Sequence, residues 1–600
     1  MTIGSRDAGL TIIGGASVDT LHVAGKPTRV AGGAGLYTAL AAHRAGLSKV
    51  TMIAPRPAPL AGELAAAAEL LDWRGPEVAP DGVPHFDISY DAEGRRTLDV
   101  VTAGREAELS PQMVVPTLPP GPVCVTPLTD PRRQLEFVRL LKAEGRWVAC
   151  GTYPCGVREQ TSTVQAIFEA ADAFFCNEEE AASLFGGLEN ALTQAGKLLF
   201  VSRGKHGVRV FQGHHSTNVE AVPGAEADPT GAGDALCGGA LAALVRGDHP
   251  VRAARLGAAV AAQVVSDVGP TALLPRAPQA TYPLDPRVAL DVDRIAIVSD
   301  WLAEAPQVVG FDFCGEMLPP PGEVGTLDFF FAQTLQQFGF WRHEQGRYDE
   351  PMIAPLAGSS RKGSDYLWAV YRRWMSEDRA GLAPLGQRDL RREELDSHYR
   401  SDDGHNPVPA ADLHLQQARA YGRDMTALGR SPAEVIEKAN ASRRPVVGLL
   451  QQLDHIGGYK EDPLRKKSAL LALVLRQRPE RFLRSEAGED VPPIVDYHIQ
   501  RSCLRMGLVT IGDAGFEERL KARRLLEARD ESAVREACYR AVERVQQLSG
   551  KPMAAVDWFF FQNRRRCPEM TRPECATCEI ESVCARKTEL FQPVMRTTFY

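Results

Sequence analysis

Six hundred residues exceed what one hydrophobic core ordinarily serves, so the chain is expected to hold at least two domains, each large enough to carry its own activity. A composition of 44% hydrophobic, 24% charged and 7% aromatic residues excludes a disordered or fibrous protein. The formal net charge of −7 and a pI near 6.1 give no whole-chain attraction to phosphate polymers, which argues against a dedicated nucleic-acid binder.

The first residues, MTIGSRDAGL, lack the charged-then-apolar pattern of a secretory leader, and no apolar run reaches the ~18 residues of a membrane span. A cytoplasmic protein without membrane contact is expected, and a homo-oligomer is compatible with the sequence. From residue 10 to 275, the runs TIIGGAS, KVTMIAP, PVCVTPL, WVACGTY, AFFCN, KLLFVSRG and VRVFQG alternate with Ala/Leu-rich helical stretches. That alternation predicts an α/β domain over 1–275 with a mainly parallel sheet. Repeated prolines mark 276–293 as a linker. Beyond it, LDFFFAQTLQQFGFW, KGSDYLWAVYRRWM, ADLHLQQARAYGRDM and ESAVREACYRAVERVQQL repeat apolar residues at helical spacing, predicting an all-α domain over 294–600.

In AEADPTGAGDALCGGALAALVRG, the small residues Gly231, Ala232 and Gly233 stand between a predicted strand end and an Ala-rich helix. Backbone N–H groups there can converge on phosphate at a helix N-terminus, and Asp234 beside them can take a hydroxyl proton during phosphoryl transfer. An isolated GAGD would equally suit a tight turn with Asp234 as a cap. The stretch resembles the second signature of the PfkB/ribokinase family of carbohydrate and nucleoside kinases, and further family features follow in order. IIGGASVDTLHV resembles the first strand, implying sugar binding by Asp19, and AGGAGLYTALAAHRAGL resembles the first signature with Gly32 and Gly33. CNEEEAASLFG resembles the Asn-x-x-Glu magnesium-water site at Asn177 and Glu180, and SRGKHGV resembles the ATP loop with Gly204 and Gly207. Asp228 is grouped with these ATP and magnesium residues. Tyr37 stands where the family usually has a sugar-binding asparagine, so an acceptor other than plainly bound ribose is expected; the stretch 55–110 departs from the family pattern.

Near the C-terminus, Cys567, Cys575, Cys578 and Cys584 are spaced C-x7-C-x2-C-x5-C, while the other eight of the 12 cysteines are scattered. This irregular spacing favours a [4Fe-4S] cluster over zinc. It resembles the cluster loop, here 567–584, of helix-hairpin-helix glycosylases of the endonuclease III type. LLQQLDHIGGYKEDPLRKKSALLALVL and PPIVDYHIQRSCLRMGLVTI resemble that superfamily's hairpin and aspartate segments, implying a catalytic role for Asp496. Asp496 by itself would also suit a helix N-cap. The resemblance puts Lys467 where bifunctional relatives have a Schiff-base lysine, but Lys466 and Lys467 read rather as solvated helix residues; Glu461 and Asp462 read as charges opposing phosphate, and Arg564, Arg565 and Arg566 as a solvated run that could also contact phosphate. TLDFFFAQTLQQFGFW, RKGSDYLWAVYRRWM and DYH resemble queuosine 5′-phosphate N-glycosidases, with Phe338, Phe340 and Trp341 suited to a base pocket or to core.

Together these features point to an ATP- and Mg2+-dependent nucleoside or sugar kinase joined to a nucleotide N-glycosidase acting on a small molecule. A DNA base-excision glycosylase with an appended kinase domain, and a sugar- or nucleotide-binding sensor with a degenerate kinase fold, stand as alternatives.

Overall fold

The computed structural model describes residues 9–23, 26–60, 62–90, 96–275 and 280–600. The chain divides into two compact units between Pro283 and Leu284, inside the stretch read as a linker. The C-terminal part of that stretch is not a linker: Val288–Leu290 is a strand pairing with Val509–Ile511, and the helix Val292–Glu304 follows directly.

In the first unit, nine strands form one sheet in the order His215–Val219, Val208–Gln212, Leu198–Ser202, Ala173–Asn177, Val148–Gly151, Val123–Val125, Leu10–Ile13, Val50–Ile53, Asp72–Arg74. The last seven are parallel; Val208–Gln212 runs antiparallel to Leu198–Ser202, and His215–Val219 pairs antiparallel with Val208–Gln212 in turn. Consecutive strand residues feed opposite faces, as the two-residue period of a strand demands. Ile12, Phe175 and Phe200 enter the core beneath helices Ala34–Arg44, Ala232–Arg246 and Pro250–Val265; Ile13, Phe174 and Leu199 enter the core beneath Pro131–Ala143, Thr161–Ala170 and Glu178–Phe185. A sheet covered on both faces explains why its strands read as continuous apolar runs.

A second sheet of four strands, ordered Lys26–Gly32, Ser17–Val23, His85–Tyr90, Arg96–Thr102, stands apart from the nine-stranded one. Two of its strands come from the stretch 55–110 that departs from the family pattern.

The second unit is mainly helical, but the all-α expectation needs correction. Among the described residues it also holds antiparallel pairs Trp341–Glu344 with Arg347–Pro351 and Ile353–Leu356 with Ser359–Lys362, besides the pair already named. Helices Pro445–Leu453 and Lys466–Gln477 flank the Gly-rich turn of the segment read as a hairpin. Among the described residues, no helix is long and apolar enough to cross a membrane.

Candidate active sites

In the first unit a cavity of about 430 Å³ opens where the parallel strands end. Thr126, Gly151, Asn177 and Ser202, at or just beyond the carboxyl ends of four strands, line it, the usual ligand position in an open α/β sheet. Asp19, Gly33, Tyr37, Asn177, Glu180, Gly231, Ala232, Gly233 and Asp234, expected apart along the sequence, share this wall.

Helix Ala232–Arg246 begins at Gly231, whose φ of 77° is left-handed. A Cβ there would lie 2.4 Å from the Tyr37 ring, so glycine is required by both conformation and contact. A Cβ on Gly233 would meet nothing within 4 Å, leaving open space before the helix N-terminus. The Ala232 N–H donates to the Pro229 carbonyl at 3.3 Å, so of the three residues expected to form an anion hole Ala232 already spends its amide on the turn. Asp234 follows in the first helical turn.

Opposite, Asp19 is 3% exposed and Tyr37 2%. The Asp19 Oδ1 and the Tyr37 hydroxyl have no hydrogen-bond partner among the described residues. Such orphans are costly unless a ligand satisfies them. Burial pushes the Asp19 carboxyl up to about 6, and burial, then Asp228, Asp19 and Asp234, pushes the Tyr37 hydroxyl well up, keeping it a donor. A Cβ on Gly32 would lie 1.8 Å from the Asp19 carboxylate, so Gly32 makes room for Asp19 behind the wall that Gly33 lines.

Asn177 and Glu180 form a capping box on helix Glu178–Phe185, with reciprocal bonds of 2.9 and 2.8 Å. The cap and the place in the cavity are therefore one feature. Gly204 lies with Asn177 and Ser202 on a shallow groove adjoining the cavity, and Gly207 has a φ of 82° with Val219 O 1.9 Å from any added Cβ. Asp228 departs from its expected grouping. It is buried, and its oxygens accept the N–H groups of Thr230 at 2.9 Å and Gly269 at 2.9 Å, bracing the loop before Gly231. Sequence reading missed Phe86, Ile88 and Tyr90, which bring the four-stranded sheet to the cavity, with the Tyr90 hydroxyl 2.8 Å from Thr230 Oγ1. Their alternation in HFDISY was the available signal.

Residues 150–277 match the pfkB family of carbohydrate kinases. The N-terminal unit carries a PfkB-type kinase domain. The chain is 28% identical over 274 residues to a cytidine kinase of Thermococcus kodakarensis, covering 43% of this chain and 97% of that protein. Among solved structures it is similar to a probable sugar kinase from Rhizobium etli, with a TM-score of 0.39 and 18% identity over 47% of this chain and 97% of that one. It is also similar to a nucleoside kinase of Methanocaldococcus jannaschii, with a TM-score of 0.37 and 20% identity over 45% and 95%. For the PfkB-type site, magnesium ordinarily keeps several waters and takes one or two protein ligands beside the phosphates, which the Asn177 and Glu180 wall fits.

The second unit has its own cavity of about 420 Å³, lined by Asp496, Asp557, Lys466 and the aromatic residues Phe311, Phe340, Trp368, Trp558 and Phe561. Asp496 is the N-cap of helix Tyr497–Met506: its Oδ1 accepts from His498 N at 2.8 Å and Ile499 N at 3.0 Å. Cap and cavity residue again coincide. Phe311 and Trp558 stack at 4.6 Å and 12°. Of the three aromatics expected, Phe340 reaches this cavity; Phe338 stacks on His414 at 4.2 Å and Trp341 packs with Tyr348, Phe591 and Val594.

The charged residues here are less solvated than expected. Lys466 and Lys467 are 6% and 1% exposed, their ammonium groups donating to the Gln337 and Leu335 carbonyls at 3.0 Å each. Burial pulls both below the usual lysine range, Lys467 to about 8. Asp462 does not face phosphate: it is 1% exposed and binds Arg535 through two contacts of 2.7 Å, while Glu461 accepts from Gly458 N at 3.2 Å. Arg564 lies over the Phe561 ring at 4.1 Å and pairs with Asp365 at 3.3 Å; Arg566 pairs with Glu579 at 3.2 Å. Only Arg565 of the three is exposed, and it lines the cavity.

Cys567, Cys575, Cys578 and Cys584 are half-buried and line one small cavity with Arg505 and Arg566. An Arg505 N–H donates to Cys567 Sγ at 3.2 Å and the Arg586 backbone N–H to Cys584 Sγ at 3.4 Å. Four thiols with N–H donors suit a thiolate-bound metal in donor type. As the side chains stand, however, no group of three or more His, Cys, Asp or Glu among the described residues is placed to hold a metal ion.

Proposed function

We propose that the chain phosphorylates the sugar of a nucleoside and then hydrolyses the resulting nucleotide to free base and sugar phosphate. The observation that carries the first step is Asp234 at a helix N-terminus, sharing one cavity with the orphaned Asp19 Oδ1 and Tyr37 hydroxyl. Asp19 and Tyr37 orient the sugar, Asp234 takes the proton of the attacking hydroxyl, and the amides ahead of it stabilise the transferring phosphoryl group. ATP lies toward Gly204 and Gly207. Asn177 and Glu180 would hold Mg2+, which would supply neutralisation of phosphate charge. Similarity to a cytidine kinase supports a nucleoside acceptor.

In the second unit, Asp496 stabilises the oxocarbenium-like sugar and activates water, the roles carboxylates play in glycoside hydrolysis. The aromatic wall suits a planar base, and exposed Arg565 suits the phosphate. We further propose that the four cysteines hold a [4Fe-4S] cluster, closing in on it when it is present; anaerobically purified protein should then contain about four irons and four sulfides and absorb broadly in the visible, whereas one zinc would replace this reading.

The test bypasses the kinase. Given a preformed nucleoside 5′-phosphate without ATP, the wild type and Asp234→Asn should both release base, and Asp496→Asn should not. Absence of release by the wild type across a panel of bases would refute the second activity.

A further inference from the structure

No motif pointed to Asp557, on the helix Met553–Arg566, yet it lines the same cavity as Asp496. Its carboxyl has no hydrogen-bond or ion-pair partner among the described residues, whereas Asp496 is fixed by two backbone N–H groups. Two carboxylates in one cavity with such different surroundings are suited to different halves of an acid–base reaction. We propose that Asp557 is the proton donor to the departing base. This inference rests on the glycosidic reading of the cavity given above.

The C1′–N bond breaks with its electron pair passing to the base, which leaves with the Asp557 proton. Water adds its oxygen to C1′ and gives a proton to Asp496. Exchange of that proton with solvent and reprotonation of Asp557 restore both groups, so nucleotide and one water yield base and sugar phosphate. Burial, then the neighbouring Asp496, pushes the Asp557 carboxyl up to about 8, while Lys466 acts in the other direction. The other charged or titratable groups lining this cavity are Cys314, Glu316, Asp365, Tyr497, His498, Arg564, Arg565 and Tyr600.

The experiment compares two substrates of the full-length protein, a nucleoside 5′-phosphate and 4-nitrophenyl riboside 5-phosphate, whose leaving group departs without a proton. Asp557→Asn should slow base release about 10²- to 10⁴-fold while leaving nitrophenolate release at the wild-type rate. Independently of any variant, wild-type kcat for the nucleotide should fall above about pH 8, and for the nitrophenyl substrate it should not. Equal slowing of both substrates by the variant, no slowing of either, or the same alkaline limb on both would overturn the assignment. Asp496→Asn should abolish both reactions; if it abolishes neither, the underlying glycosidic reading fails, a result distinct from failure of Asp557.

Discussion

Burial makes ionisation of Asp19 costly. Its unfolded value near 3.8 lies below the folded value near 6, so the folded state binds the proton more tightly. The stability this supplies is fully present below pH 4 and lost as pH rises through 6. A gap of roughly two pH units corresponds to about 3 kcal/mol. In denaturant unfolding, Asp19→Asn should therefore gain about 3 kcal/mol relative to wild type between pH 4 and pH 8, while its affinity for the sugar acceptor falls. A pH-independent difference would show that Asp19 is not a desolvated acid. Asp234→Asn should lower phosphorylation about 10²- to 10⁴-fold with nucleoside binding retained, measured by single-turnover transfer and calorimetry. At this scale the kinase cavity was legible because its residues fall in short motifs. Asp557 was not, since it lies in the apolar run AAVDWFFFQ, 61 positions from Asp496, with no spacing rule linking them. The burial of Lys466, Lys467 and Asp462 was equally hidden, because it depends on partners remote in sequence such as Arg535.

Individual elements carry two further expectations. Gly231 starts its helix in a left-handed conformation against the Tyr37 ring, so Gly231→Ala should cost at least ~1–2 kcal/mol in thermal unfolding and displace the amides and Asp234, lowering kcat. In the turn between Pro445–Leu453 and Lys466–Gln477, Asp462 accepts the Lys466 N–H at 2.7 Å while pairing with Arg535. Asp462→Ala strands a buried guanidinium and should cost about 3–5 kcal/mol, with Asp462→Ala/Arg535→Met recovering part of it in the same unfolding assay. The seven apolar runs read as strands are strands because their sheet is covered on both faces. The pairs beginning at Trp341 and Ile353 escaped notice because they are short and show no sustained apolar–polar alternation, WRHE, RYDEP and SSRK being mostly polar and IAPL wholly apolar, with Gly346 and Gly358 in the turns.

Across the whole molecule, each unit has hydrophobic cores of its own, so residues 1–283 and 284–600 expressed separately should each unfold cooperatively. Under the proposed function their coupling is chemical: the first would make the phosphate ester that the second would require. The most direct measurement supplies the full-length protein with a free nucleoside and follows base release with and without ATP and magnesium. Release should occur with ATP, vanish without it, and vanish in Asp234→Asn. Equal release in the absence of ATP would contradict the coupled order.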